Sequence, residues 1–590
     1  MFVDKTLFVK LFLEKQNFMY VTAPKGFGKS TNMEMLKTFL NLNVGEDGSP
    51  LVKNSTRSFK CFSERQLVIY NETSFFNRHF GEYPVLHFRF KSLVLGNFCD
   101  EFIVSFRKVI SEAYEDHNYL LLSNRLTKSE KNQYDRLRTK SLEEHQSSLT
   151  FSGRTLTSLL FTHFNKTSIV LIDDFDNILP QILTNEHVHN KCVTYILSFL
   201  RSFLAFMVNN NRFLAKALLT GCVRLLPPET ADDAMGIEPF PYFKNGRMAS
   251  FYGFTETEVV DLVRKLKREK DLDSIRKRFC CYTADESNVK VYNMYAISEF
   301  LRTGNLSSYW LDSGRVQTLK PIIFDYGFLG SIIDEALLTN SISIALPYGM
   351  SHFNTENVIR LKAAIKHRVV YDLREIHKNL FLKYIEEHGY FTVFRMTSAG
   401  YMHGKIPNHE VREMLESYIY TSHFYIRKFD IPTELIKIFV ESMQHLDGNV
   451  IGFKCFAKSV ATLLDELLGL ASDVEFLRIL YTFAKDSSKF LAVRQKTVPH
   501  PHLLVISENI RDRIGIIVAL TYDNSTACEG LSRIIDGKYY VSFDEEFKHV
   551  SIATRLFLGL QLSRKTNHGI VCYLCNSTHI ENAHTIDVPI

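Results

Sequence analysis

Two hydrophobic periods alternate along the first 225 residues. Phe18-Met19-Tyr20-Val21 is an unbroken apolar run that reads as a short buried strand. Met33, Leu36, Phe39 and Leu40 then recur at the spacing of one helix face. Ahead of both, residues 7–13 are interrupted by Lys10 and followed by Glu14-Lys15, the pattern of an amphipathic helix. Residues 85–90 predict a second strand, 98–115 a helix, and 155–164 another. Ile169-Val170-Leu171-Ile172 is four apolar residues in a row, as a central strand of a parallel sheet requires. A helix over 190–208 leads to an apolar strand with a polar tip at 217–221. Strands alternating with helices predict an α/β fold whose parallel sheet is closed by crossover helices. Residues 43–80, with Gly45, Gly48 and Pro50, read as mostly loop.

The pattern shifts at Pro227-Pro228 and through the Gly/Pro-rich stretch 236–246. Residues 255–302 read as helical and 320–470 as mainly helical, with helix stops near Gly349 and Gly400. It shifts again after Pro499-His500-Pro501, where 513–520 and 569–574 read as strands with helices between. The expected division is a sheet domain at 1–226, a helical region at 227–320, a mainly helical middle at 321–490 and a small α/β domain at 491–590. A chain of 590 residues is long enough for three or more domains.

The first strand and helix are joined by Ala-Pro-Lys-Gly-Phe-Gly-Lys-Ser-Thr, residues 23–31. A strand, a glycine-containing loop, Gly-Lys-Ser and a helix start make a nucleoside triphosphate site, with Mg2+ as the expected metal. Backbone N–H groups of Pro24 to Thr31 (Pro24, which has none, apart) would surround the phosphates: Lys25, Gly26, Phe27, Gly28, Lys29, Ser30 and Thr31. Lys29 would reach the outer phosphates and the Ser30 hydroxyl would bind Mg2+. The strict pattern has glycine where Ala23 stands, and a glycine-rich turn before a helix is the plain alternative. The second apolar run ends in Asp173-Asp174, at the strand tip where open α/β sheets bind ligands. Asp173 is the candidate Mg2+ ligand and Asp174 the candidate for orienting an attacking water, against the alternative of a solvated acidic turn. The order of the two motifs, a small domain apart, favours the phosphate site.

Composition narrows the rest. Hydrophobic residues at 45% and charged residues at 23% are the balance of a globular protein, and a net charge of +5 is too small to point to nucleic acid or membrane. The charged stretch 122–148 mixes acids and bases and reads as a solvated helical face. With 47 Phe and 27 Tyr against one tryptophan, Trp310, the chain has material for large packed cores. Ten scattered cysteines favour a reducing compartment. Cys572-x-x-Cys575, with His568, His579 and His584 nearby, is a single pair and reads as two thiols near a strand end rather than a zinc site. No signal peptide is visible and no apolar run approaches the length of a membrane span, so the expected location is cytoplasmic or nuclear, without membrane.

Taken together, these motifs resemble the AAA-ATPase-like family, P-loop proteins that usually end in a nuclease-like domain of the PD-(D/E)XK class. The resemblance runs through Val3-Asp4-Lys5-Thr6, Pro24-Lys25-Gly26-Phe27-Gly28-Lys29-Ser30, Tyr83-Pro84-Val85-Leu86 and Leu171-Ile172-Asp173-Asp174-Phe175-Asp176. It continues through Leu219-Thr220-Gly221-Cys222-Val223-Arg224, Tyr252-Gly253-Phe254-Thr255-Glu256 and Val291-Tyr292-Asn293-Met294-Tyr295, covering roughly residues 1–315. The family also lacks the first loop glycine. The resemblance implies that Thr220 stands where a polar residue senses the γ-phosphate, and it assigns Arg224 a phosphate or partner contact against the alternative of a solvated residue. Asp174 replaces the family's glutamate; a carboxylate one methylene shorter, displaced by about 1 Å, can cost on the order of a hundredfold in rate.

For the tail, the resemblance implies a nuclease fold without its metal site. The strand 515–521 puts Ala519 and Thr521 where Glu-x-Lys would stand, and the upstream acid falls near His502. Glu545-Glu546-Phe547-Lys548 holds a Glu-x-Lys but reads as a solvated turn, and Arg511, Arg513 and Arg533 allow only weak, salt-sensitive nucleic-acid binding. The expected function is an ATP-binding, slow Mg2+-dependent ATPase whose nucleotide state controls contacts with a protein partner. The alternatives are a non-catalytic interaction scaffold with a vestigial nucleotide site and, least favoured, an ATP-coupled nuclease. The oligomeric state and the partner are not legible.

Overall fold

The computed structural model describes residues 3–15, 18–96, 99–139, 146–225, 236–241, 246–284, 289–312, 327–339, 341–345, 352–366, 375–396, 401–446, 449–467, 473–496, 502–507, 513–522, 526–541, 548–563 and 568–589. Pro227-Pro228, Gly349, Gly400, Pro499-His500-Pro501, Arg511 and Glu545-Glu546-Phe547 lie outside them. The chain forms two compact units: Met1–Leu329 with Glu335–Met414, and Gly330–Asp334 with Leu415–Ile590.

In the first unit, α1 (Leu7–Glu14) turns Phe8, Val9, Leu11 and Phe12 into the core. β1 (Phe18–Thr22) and α2 (Lys29–Leu40) follow as the periodicity predicts. Of residues 43–80, 43–52, with Gly45, Gly48 and Pro50, are loop as expected, but 57–79 are mostly helical. They hold α3 (Arg57–Ser63), α4 (Val68–Asn71) and α5 (Thr73–His79), organised around Phe39, whose ring meets Phe62, Phe76 and Phe80 edge-on at 5.3, 5.4 and 5.3 Å.

β2 (Val85–Arg89), α6 (Cys99–Glu115), α7 (Lys128–Arg138), α8 (Gln146–Phe164) and β3 (Ser168–Asp173) come next. α7 starts in a capping box of Thr127 and Glu130, the solvated helix expected of the charged stretch. α9 (Ile178–Thr184), α10 (Asn190–Val208) and β4 (Leu214–Gly221) complete the crossovers. α10 is, by length and composition, long and apolar enough to cross a membrane, contrary to expectation; Ile196, Leu200, Phe203 and Met207 on it are buried within the unit. Cys99 and Cys192 lie side by side across α6 and α10, Cα–Cα 5.7 Å, a pairing the reading of scattered thiols did not include.

β5 (Ile237–Pro241) finishes a five-stranded sheet in the order β2-β3-β4-β1-β5, every neighbour parallel. All six residues of β3 are buried, which is why its middle, Ile169–Ile172, is unbroken apolar rather than alternating. Because β5 pairs with β1, the domain change expected after residue 226 falls before the last strand of the sheet.

The stretch 255–302 combines helices with a small sheet. After α11 (Gly246–Ala249) come β6 (Phe254–Thr255), α12 (Glu256–Lys265), α13 (Leu272–Phe279), β7 (Tyr282–Ala284), β8 (Val289–Tyr292), α14 (Met294–Thr303) and α15 (Tyr309–Asp312), with strand order β6-β8-β7. The middle region, read as mainly helical, also carries β9 (Ile342–Ala345), β10 (Thr392–Met396) and β11 (Tyr401–Lys405) in one antiparallel sheet.

The second unit joins helices Ser422–Phe429, Thr433–Gln444, Val450–Glu466 and Asp473–Asp486 to a six-stranded sheet, so the structure does not divide at 490. The strands are β12 (Phe490–Lys496), β13 (His502–Ser507), β14 (Ile514–Tyr522), β15 (Thr554–Ser563), β16 (His568–Cys575) and β17 (His584–Pro589), side by side in that order. β14 and β15 are parallel and the other neighbours antiparallel. The crossover that a parallel pair demands contains the helix Ala527–Asp536, whose Leu531 and Ile534 pack with Ile517, Ala519 and Phe557.

Candidate functional site

The C-terminal tips of β1, β3 and β4 converge. Register pairs Val21 with Thr220, Thr22 with Gly221, and Ile172 with Leu219. From β1 the chain crosses to the far edge at β2, returns through β3 and β4 to β1's side, and then adds β5 on the other side. Open parallel sheets hold ligands at such a reversal, beyond the strand ends.

The loop after β1 takes a shape only glycine adopts freely. Gly26 has φ +82° and Gly28 φ +83°, and Gly28 is the N-cap of α2. Lys29 is the first helical residue and is 7% exposed. Its ammonium donates to the carbonyls of Ala23 at 2.7 Å and Pro24 at 3.0 Å, so the side chain folds back and closes the loop into a ring. Ser30 and Thr31 are exposed on the first turn of α2, while Pro24 and Phe27 are buried; the Phe27 ring meets Tyr282 edge-on at 4.9 Å. Lys25 and Gly26 are half-buried at the loop's tip.

Asp173 ends β3, 8% exposed. Its Oδ1 accepts a hydrogen bond from the Thr220 hydroxyl at 2.6 Å and from the Asp174 N–H at 3.1 Å. Thr220 is fully buried, so the hydroxyl assigned to sensing phosphate is bonded to Asp173. Asp174 is half-buried in the left-handed region, φ +57°, and turns the chain immediately after the strand.

One residue quoted in a motif but given no role joins the site. Asp176 Oδ2 accepts from the N–H groups of Cys222 at 2.9 Å and Val223 at 3.0 Å, fastening the turn after β3 to the turn after β4. The Tyr20 phenol donates to the Val223 carbonyl at 3.0 Å and accepts from the Leu225 N–H at 3.2 Å; burial pushes its pKa well up, keeping it a neutral donor. His388, just past the helix Glu375–Glu387, brings a ring nitrogen within 4.8 Å of ligand atoms of Asp176 and Cys222. This is the one buried His/Cys/Asp group of three found among the described residues. The Lys29 ammonium lies 3.5 Å from Cys222 Sγ, a fixed positive charge that works against a cation at that spot. Arg224 is half-buried rather than solvated, and its carbonyl accepts from the Phe353 N–H.

The remaining motif segments are ties around this site. Asp4 accepts from the Thr6 N–H at 2.8 Å and the Val68 N–H at 2.7 Å. Lys5 pairs with Glu258, which also completes the capping box of Thr255 at the head of α12. Asn32 donates to the Phe251 carbonyl at 3.1 Å.

The tail positions are occupied by packing. Ala519 is 4% exposed within the core cluster and is paired in register with His502. Thr521 is 1% exposed, its hydroxyl 3.3 Å from the Leu560 carbonyl. Cys572 and Cys575 are three apart on one strand and so face opposite sides of it: Cys572 is buried, 2.7 Å from Cys528 Sγ, and Cys575 is exposed.

Residues 1–227 match the model of the AAA-ATPase-like family, described as Predicted AAA-ATPase. No curated protein and no solved structure matches the chain.

Proposed function

We propose, for a chain whose residues 1–227 carry the domain of the AAA-ATPase-like family, that it binds ATP with Mg2+ at the tips of β1, β3 and β4 and hydrolyses it slowly, its nucleotide state controlling contacts with a protein partner. The observation that best supports this is the closed loop: two left-handed glycines, a helix start, and a buried lysine braced on the Ala23 and Pro24 carbonyls. A ring of that shape aims N–H groups of residues 25–31 at one point and sets the lysine beside it. Ser30 and Asp173 would hold Mg2+, which supplies charge neutralisation on the phosphates when bound. The donor set suits that ion: a hydroxyl and a carboxylate, both hard oxygens. Asp173's bond from Thr220 engages Oδ1 and so restrains the carboxylate's rotation.

Two features support slow turnover. Asp174 is a short carboxylate on a left-handed residue, and Thr220 is committed to Asp173. The second of these also favours the other reading, a scaffold that holds nucleotide structurally. In either reading the tail is a nuclease-like fold without its metal ligands, and the protein works in the cytoplasm or nucleus. Titration with MgATP followed by phosphate release on the same sample tests the pair. Saturable binding with slow release supports an ATPase, binding without release supports the scaffold, and no binding contradicts the ATPase and leaves only a scaffold that works without nucleotide.

A further inference from the structure

Two carbonyls at the tip of the phosphate loop are bonded from outside the loop, both by the head of α14. The Asn293 side-chain amide donates from Nδ2 to the Lys25 carbonyl at 2.8 Å, and the Tyr295 N–H donates to the Gly26 carbonyl at 3.1 Å. Asn293 is 2% exposed and is at the same time the N-cap of α14, its Oδ1 accepting from the Ala296 N–H at 3.1 Å. Packing is as close as the backbone allows. A Cβ on Gly26 would lie 2.5 Å from Asn293 Oδ1, and one on Gly28 2.6 Å from Met294 Sδ.

A trans peptide is planar, and its C=O and N–H point in opposite directions. Holding the Lys25 carbonyl outward therefore turns the Gly26 N–H inward. Holding the Gly26 carbonyl outward does the same for the Phe27 N–H. We infer that Asn293 is a positioning residue of the nucleotide site: with the Tyr295 N–H it fixes two loop peptides so that their N–H groups face the phosphates, and it makes the docking of α14 and the binding of nucleotide one coupled event. The inference rests on the ATP-binding reading of this loop. Coupling of this kind is reciprocal, so phosphate that orders the loop also orders α14. α14 packs into the cluster of Val259, Leu262, Ile275 and Phe279 through Ile297 and Phe300, which gives nucleotide binding a route to the helices after residue 255.

The test uses the full chain and MgATP. Asn293→Ser keeps a good N-cap acceptor for α14 but is too short to reach the Lys25 carbonyl, and it adds no charge near the phosphates. With wild type binding MgATP, Asn293→Ser should bind about tenfold more weakly at a temperature where unfolding curves show both proteins fully folded. MgATP should slow hydrogen exchange at the α14 amides of wild type, and do so far less in the variant. Equal affinity in the variant, or α14 exchange in wild type that ignores MgATP, overturns the inference while leaving the ATP site standing. Failure of wild type itself to bind MgATP removes the ATP reading and this inference with it.

Discussion

Two parallel strand pairs in this chain share one local architecture and end in opposite chemistry. β3 and β4 are joined through helices, buried, and tipped by Asp173 and Thr220 hydrogen-bonded to each other. β14 and β15 are joined through the helix Ala527–Asp536, and Ala519 and Thr521, within β14, are buried. A buried parallel pairing through a helix is common to both. The side chains differ: in one case a carboxylate at the strand end held by a hydroxyl, in the other a methyl group within the strand, in one cluster with Leu531 and Phe557. Fold is shared; a site is what particular residues add to it.

The largest expected effect comes from forcing the first kind of chemistry onto the second strand. Ala519→Glu would bury a carboxylate without a cation, and should cost about 3–5 kcal/mol in urea unfolding. Undiminished stability together with new metal-dependent cleavage would mean that β14 keeps a usable site.

A buried carboxylate is not by itself a site either, and Glu410 separates the two ideas. Burial raises its carboxyl to about 7 while the Trp310 N–H, 2.7 Å from Oε1, pulls the other way. The folded value lies above the unfolded one, near 4.3. The native state thus holds a proton the unfolded chain lacks, and this contribution is full below about pH 4, falls as pH rises through about 7, and is flat above. Glu410→Gln keeps the acceptor and removes the ionisation. Its advantage over wild type should grow from near zero at pH 4.5 to about 3 kcal/mol at pH 8, read from unfolding at the two pH values. A constant difference would show that Glu410 does not titrate in this range.

Asp174→Glu should raise phosphate release about tenfold with MgATP affinity unchanged, less than the full reach effect because a left-handed residue strains glutamate. Equal or lower release would remove Asp174 from the water-orienting role. The smallest effect is none: full chain with Mg2+ or Mn2+ and single- or double-stranded DNA should give no cleavage, and EDTA-sensitive cleavage would show the metal site to lie elsewhere.

Local pattern made the first strand, its loop, α2, β3 and α10 legible, since each is either a long period or a run of one character. The misses have physical causes. α3, α4 and α5 are each at most seven residues, too short for a helical stripe to repeat, and their order comes from rings gathered on Phe39. β5 gives no strand signal because its sequence, Ile-Glu-Pro-Phe-Pro, carries two prolines, tolerated because β5 is the sheet's edge. Lys29, Asp173 and Thr220 were legible as motif positions, but the Thr220–Asp173 bond was not. His388 beside Asp176, and Asn293 beside Lys25, are meetings of distant segments that no periodicity records.

The claim on which the rest depends is that the loop around Lys29 holds nucleotide. Calorimetric titration of MgATP into wild type and Lys29→Ala, at matched unfolding temperatures, tests it most directly. Wild type should bind saturably and the variant with about a hundredfold lower affinity, as loss of a charged hydrogen bond to phosphate implies. Equal binding by the two proteins would contradict it.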